Sequence, residues 1–163
     1  MKRKQVIIFS ILLFASYLLL GFYKIVDKCP QSIHQWAQCD RASVAKNYLY
    51  YGFDFFHPRV HNIANGTGIS GMEFPLVNLL AAITYKILGF NEFYYRLICL
   101  LILSAGLIAA FKLGYLIIGQ SILAGFAVLL FFLSPILVFY TPNFLPEAPS
   151  LGLILIAWYK FFR

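Results

Sequence analysis

The chain reads as an all-α, polytopic membrane protein with about four membrane-crossing helices and a large polar first loop. Three observations carry this reading. The 163-residue sequence is 61% hydrophobic and only 12% charged, with mean hydropathy +0.79. Its apolar residues fall in runs of about 20 residues, the length that bridges a hydrocarbon layer ~30 Å thick. Its thirteen lysines and arginines are scattered beside those runs and form no basic stripe of the nucleic-acid-binding kind. The net charge of +7 is therefore read as attraction to anionic headgroups and as a topology signal, and no nucleic-acid partner is expected.

The first span is Val6–Tyr23, preceded by Lys2-Arg3-Lys4. No small-x-small cleavage site follows it, so residues 6–23 read as an uncleaved signal anchor. Residues 24–96 form the outer loop, with juxtamembrane helices near 32–51 and 74–90. Ser32-x-x-Gln35 has the form of a capping box, opening a helix that stops near Gly52. Pro58 biases Phe53–Arg59 towards extended chain, and Asn62–Gly71, rich in Gly and Asn, is a loop. Pro75 suits the first turn of the next helix, with Glu73 at its positive end. The apolar core of 74–90 is about 15 residues, ~22 Å as a helix, too short to cross and better laid at the interface. Residues 97–163 carry the remaining spans, Leu97–Ile118, Ile122–Tyr140 and Ala148–Phe162.

Charge placement supports four crossings. With Lys2, Arg3 and Lys4 cytoplasmic, Lys160 and Arg163 also fall inside, as lysine and arginine prefer. All six acids (Asp27, Asp40, Asp54, Glu73, Glu92 and Glu147) then lie outside. A fifth crossing through 74–90 would divide them. The expected location is a plasma or bacterial inner membrane, with the N-terminus cytoplasmic and the first large loop extracytoplasmic.

Ionised groups clustered at a membrane surface invite a functional reading. Asp40, Ser43 and Asn47 share neighbouring faces of one helix. Two readings of Asp40 stand side by side: a proton acceptor in a partly desolvated cleft, or a surface carboxylate paired with Arg41 or Lys46. Glu73 and Glu147 each read either as site acids or as ordinary acids at a helix start. Arg96 reads as a headgroup-directed arginine or as a bidentate phosphate grip, and Arg59 and Lys86 are further phosphate candidates. His34, His57 and His61 make no helix-spaced metal pair. Cys99 is a packing residue; Cys29 and Cys39 read as free thiols, with a disulfide as the alternative in an oxidising compartment. Asn65-Gly66-Thr67 matches a glycosylation sequon.

Taken in order, these residues resemble the N-terminal part of the GT-C superfamily of membrane glycosyltransferases, near the protein-O-mannosyltransferase and lipid A aminoarabinose transferase group (glycosyltransferase family 39 and kin). The family's Trp-Arg-Gln-Ala-Asp-type motif stands here as Trp36-Ala37-Gln38-Cys39-Asp40, continued by Ala42-Ser43-Val44-Ala45-Lys46-Asn47. A Tyr-Pro-Arg-like stretch is His57-Pro58-Arg59, and a Glu-Phe-Pro-Leu segment is Glu73-Phe74-Pro75-Leu76. Gly89-Phe90-Asn91-Glu92-Phe93-Tyr94-Tyr95-Arg96 follows a Gly-x-Asn-Glu-x-x-x-Arg pattern. Glu147 stands where relatives usually carry Asp. Ala37 replaces their arginine, and Cys39 a small residue.

The resemblance implies transfer of a sugar, with inversion, from a polyprenyl-phosphate carrier to a lipid, glycan or protein acceptor at the outer membrane face. It makes Asp40 the base, Glu73 and Glu147 orienting or metal-adjacent acids, and Arg96 the phosphate clamp, with 74–90 walling the lipid groove. Some relatives use a divalent metal and others do not. A metal held by Asp40 and Glu147 therefore stays open. Family members run to several hundred residues, so the chain is expected to be about their first third, with a second polypeptide as one source of missing helices. Two alternatives stand beside the enzyme: a non-catalytic truncated or partner subunit, and a small transporter or lipid-binding protein. A transporter needs ionisable groups within its spans, where Lys112 falls, with Lys160 near the very end of the last one.

Overall fold

The computed structural model describes residues 2–61 and 66–163. Among these, the chain is all-helical: α1 (Arg3–Leu19), a 3-10 turn (Phe22–Lys24), α2 (Gln35–Tyr51), α3 (Leu76–Leu88), α4 (Glu92–Ile118), α5 (Ser121–Phe132), α6 (Pro135–Tyr140) and α7 (Glu147–Phe162). One isolated antiparallel bridge joins Arg59 to Ile69.

Helix α4 is the axis of the molecule. Its 27 residues extend ~40 Å, and it is long and apolar enough to cross a membrane. Named contacts fix the directions of its neighbours. On α1, Gln5 donates to Ser121 at the start of α5 (3.0 Å), Phe9 stacks on Phe111 late in α4 (4.4 Å), and Tyr17 reaches Ser104 (2.8 Å). Helix α1 therefore runs antiparallel to α4 and parallel to α5. Helix α7 runs parallel to α4, from Arg96 beside Pro142, through Gly106 against Gly152, to Lys112 over the Tyr159 ring (5.7 Å).

The α4–α7 crossing depends on absent side chains. A Cβ on Gly106 would lie 2.5 Å from the Gly152 carbonyl oxygen, and one on Gly152 would lie 2.6 Å from that of Ile102. Backbones approach this closely only where residues are small. Leu103, Leu107, Phe111, Ala148 and Leu155 then fill the core around the crossing, with Phe9, Leu13, Phe22 and Phe132 from the other helices.

This arrangement gathers the acids at one end. Arg3, Lys4, Lys160 and Arg163 lie at one end with the α4–α5 turn. Helices α2 and α3 sit at the other, where Ala45, Val77, Ala81 and Tyr85 pack on Tyr95, Cys99 and Phe144. Asp40, Glu73, Glu92 and Glu147 belong to that second end. Between the ends the outer surface is apolar: Ile11, Phe14, Leu101, Ile122, Phe126 and Trp158 are all exposed.

Several local expectations change. Ser32 does not cap α2. It sits at φ 71°, and the N-cap is His34, itself left-handed, with no side-chain cap bond. The loop is instead held from within α2, where Gln38 donates to the carbonyls of Gln31 (3.0 Å) and Ile33 (2.9 Å). Residues Phe53–Arg59 are not extended throughout: the Asp54 carboxylate accepts from the Phe56 N–H (3.2 Å) and turns the chain there. Pro75 is the N-cap of α3 and not a first-turn residue. The helix expected over 122–140 breaks at Ser134, because Pro135 has no N–H to continue it and begins α6. The stop at Gly52 occurs as expected, at φ 93°. The sequon's Asn65 lies outside the described residues.

Candidate functional site

Helix α2 organises the polar end through a buried face that is unusually hydrophilic. Gln38, Arg41, Ser43 and Asn47 are all buried there. Buried polar groups need partners, and each of these finds one in a loop or a neighbouring helix. Gln38 holds residues 31–33, as above. Asn47 donates to the Arg59 carbonyl (2.8 Å), and the Ser43 hydroxyl accepts from the His61 N–H (3.3 Å). Arg41 forms an ion pair with Glu73 and donates to its own helix at the Ala37 carbonyl (2.9 Å). Asn78 on α3 closes the set by donating to the Arg41 carbonyl (2.8 Å).

The Arg41–Glu73 pair is asymmetric. The arginine side chain is 11% exposed and the glutamate 54%, so a nearly buried cation meets a carboxylate still open to water. The pair spans 32 residues and brings the Trp36–Asp40 stretch against the Glu73–Leu76 stretch. Glu73 is thereby engaged by a side chain before it can act simply as a helix-start acid. Asp40 follows neither anticipated pairing: Arg41 turns to Glu73, and Lys46 lies over the Phe90 ring (4.9 Å). The Asp40–Ser43 relation is real but runs through the backbone, with the Ser43 hydroxyl donating to the Asp40 carbonyl (2.7 Å). The Asp40 side chain is left partly exposed on the flank of α2.

The expected phosphate clamp has another occupation. Arg96 is fully buried, and its guanidinium donates to the carbonyls of Pro142 (2.8 Å), Lys28 and Cys29 (3.3 Å). Its guanidinium carbon lies 4.4 Å from the Phe144 ring centroid, a cation–π contact. Arg96 thus ties the start of α4 to the connection after α1 and to the connection before α7. A phosphate would have to displace those carbonyls, and Arg96 has no exposed surface with which to meet one. Arg59 is likewise engaged, donating to the Thr67 carbonyl (2.8 Å) and lying 5.1 Å from the Tyr51 ring. Lys86 is exposed, 5.2 Å from the Phe53 ring. Glu147 is exposed at the first position of α7.

A second polar contact lies on the same end. The His57 Nδ1 is 2.7 Å from the Asp54 carboxylate, and this hydrogen bond holds Asp54 below the usual carboxylate range. Burial pushes the Tyr85 hydroxyl well up, reinforced by the nearby Glu92. Among the described residues, no group of three or more His, Cys, Asp or Glu side chains gathers as a metal site, so Asp40 and Glu147 belong to no such cluster. Cys29 and Cys39 are free and exposed, and Cys99 is buried.

Arg41, Gln38 and Asn78 were not among the residues expected at the site. The signal for Arg41 was present: an arginine beside Asp40 within the polar Gln35–Ser43 stretch of a greasy chain. No family model, curated protein or solved structure matches this chain. Its class, an all-α bundle with one polar end and one basic end, therefore rests on its own geometry.

Proposed function

We propose that this chain is a multi-pass membrane module resembling the lipid-linked-sugar glycosyltransferases, with its working face at the acid-bearing, extracytoplasmic end. The exposed apolar girdle supports the membrane reading, because water would not tolerate so continuous an apolar surface. The charge asymmetry supports the orientation. The end that holds both termini carries the cations Lys2, Arg3, Lys4, Lys160 and Arg163 with no Asp or Glu among them, as cytoplasmic segments prefer.

The observation that carries the catalytic reading is the Arg41–Glu73 contact. It joins two of the segments on which the resemblance rests. In this reading Asp40 takes the acceptor hydroxyl's proton as that oxygen attacks the anomeric carbon, and the polyprenyl phosphate leaves with the bonding electron pair. Glu73, fixed by Arg41, orients the acceptor. With Arg96 consumed by carbonyls and Arg59 also bonded to the Thr67 carbonyl, the leaving phosphate's charge falls chiefly to the exposed Lys86. A divalent ion at Asp40 and Glu147 remains a finer expectation of the resemblance.

The test is Asp40→Asn, assayed for transfer from a radiolabelled polyprenyl-phosphate sugar in membranes carrying the chain. Transfer is expected to fall by about 10²-fold or more, with membrane insertion unchanged. Unchanged turnover removes Asp40 from the mechanism. A second reading, a non-catalytic scaffold or partner subunit, is favoured by one observation: Arg96, the expected phosphate clamp, is spent on internal contacts. Wild-type membranes with no transfer above background would select it.

A further inference from the structure

An apolar recess near the basic end lies between α1 and α5. It is a groove of about 330 Å³. Gln5 and Ser121 form its mouth, Ile8, Leu12 and Phe126 its walls, and the stacked Phe9–Phe111 pair its floor. Gly125 makes the recess. It leaves open the space a side chain would take above the rings of Phe9 and Phe111, each 3.6 Å from where its Cβ would stand. From Gln5 to Leu12 the groove extends ~10 Å at 1.5 Å per residue, about two thirds of one ~15 Å leaflet.

Charge identifies the occupant. Lys2, Arg3 and Lys4 are exposed at the mouth, and Lys4 lies one turn before Ile8 on the same side of α1. No Asp or Glu occurs in α1, in α5, in α4 beyond Glu92 or in α7 beyond Glu147. The three cations at the mouth therefore have no Asp or Glu nearby to answer them. A zwitterionic headgroup would bring its ammonium into this cationic cluster, whereas a net negative one neutralises it.

We propose that the α1–α5 groove binds one anionic phospholipid of the leaflet at the basic end, with an acyl chain over Phe9, Phe111 and Gly125 and its phosphate among Lys2, Arg3 and Lys4. The proposal rests on the membrane reading above. It adds a lipid site remote from the acid-bearing face, one that fastens α1 to α5 where their side chains leave a gap.

The full chain, purified in mild detergent, is offered equal amounts of dioleoylphosphatidylglycerol and dioleoylphosphatidylcholine and examined by native mass spectrometry. One phosphatidylglycerol is expected to be retained in preference. Each cation is worth about fivefold at a lipid surface, so K2Q/R3Q/K4Q is expected to remove a preference of tenfold or more and leave phosphatidylcholine binding unchanged. Leu12→Trp, which alters only an exposed wall, is expected to displace the lipid. Gly125→Leu, which fills the floor, is expected to do the same. Equal retention of both lipids, or retention untouched by Leu12→Trp, overturns the proposal. So does equal competition by chainless glycerophosphoglycerol. Alkaline carbonate extraction tests the membrane reading separately. A chain released to the supernatant sinks that reading, while an integral chain without lipid preference sinks only the groove.

Discussion

Replacing Gly106 with alanine probes the contact on which the α4–α7 pair depends. The added Cβ would stand 2.5 Å from the Gly152 carbonyl oxygen, and an ordinary contact begins near 3.4 Å. The neighbour there is backbone, which cannot swing aside as a side-chain tip can. The helices must therefore separate by about 1 Å along a face that also carries Leu103, Leu107, Ala148 and Leu155. Overpacking of this kind costs roughly 1–3 kcal/mol, against which alanine gains up to ~1 kcal/mol in helix propensity. Gly125→Ala calibrates that gain, because its Cβ would meet only ordinary contacts at 3.6 Å. Unfolding in mixed micelles with increasing dodecyl sulfate, followed by helical circular dichroism, gives both values. Gly106→Ala is expected to lie about 1–3 kcal/mol below Gly125→Ala. Gly152→Ala should match it, and the double variant should cost less than the two together, since one separation relieves both clashes. A Gly106→Ala protein as stable as Gly125→Ala would refute the close crossing.

Three further outcomes follow from the polar end. Arg96→Lys keeps the charge but not the three-carbonyl grip, and is expected to cost about 3 kcal/mol or more in the same unfolding assay; a protein of unchanged stability would return Arg96 to the role of phosphate ligand. Glu73→Gln leaves Arg41 nearly buried without its anion. Because Glu73 is half exposed, the loss is discounted to about 1 kcal/mol, and a double-mutant cycle with Arg41→Met should show the two residues coupled. Asp54 carries a lowered pKa from its His57 bond, so its contribution is present above the unfolded carboxylate value of ~3.9 and is lost as pH falls through the lower folded value. Amide exchange at Phe56, which donates to that carboxylate, should accelerate across this acid window relative to its intrinsic rate and should lose the pH dependence in Asp54→Ala.

Composition and periodicity were enough to read the all-helical class, the positions of α1, α4 and α7, the short length of α3 and the stop of α2 at Gly52. These are local properties: apolar run length, proline and glycine geometry and flanking charge act over one or two turns. The break at Ser134-Pro135 was legible too, but an unbroken apolar run outweighed one proline in the reading.

The site was legible only in part. Glu73 and Arg96 were singled out as charges that must do something in a greasy chain, and both are engaged, but by partners no spacing rule could supply. Arg96 meets carbonyls 46 to 68 residues away, and Glu73 meets Arg41 across 32. A hydrogen bond to a main-chain oxygen leaves no trace in side-chain identity, so an arginine poised for phosphate and one sewing helices together look alike in a sequence.

What the residues determined alone is therefore helicity, the absence of acids near both termini and an apolar exterior, each set by solvent preference along the chain. Which carboxylate meets which guanidinium, how closely α4 approaches α7, and where the α1–α5 groove opens were decided only when the helices packed. Those outcomes depend on excluded volume and on burying every donor with an acceptor, and both are settled between segments far apart in the chain.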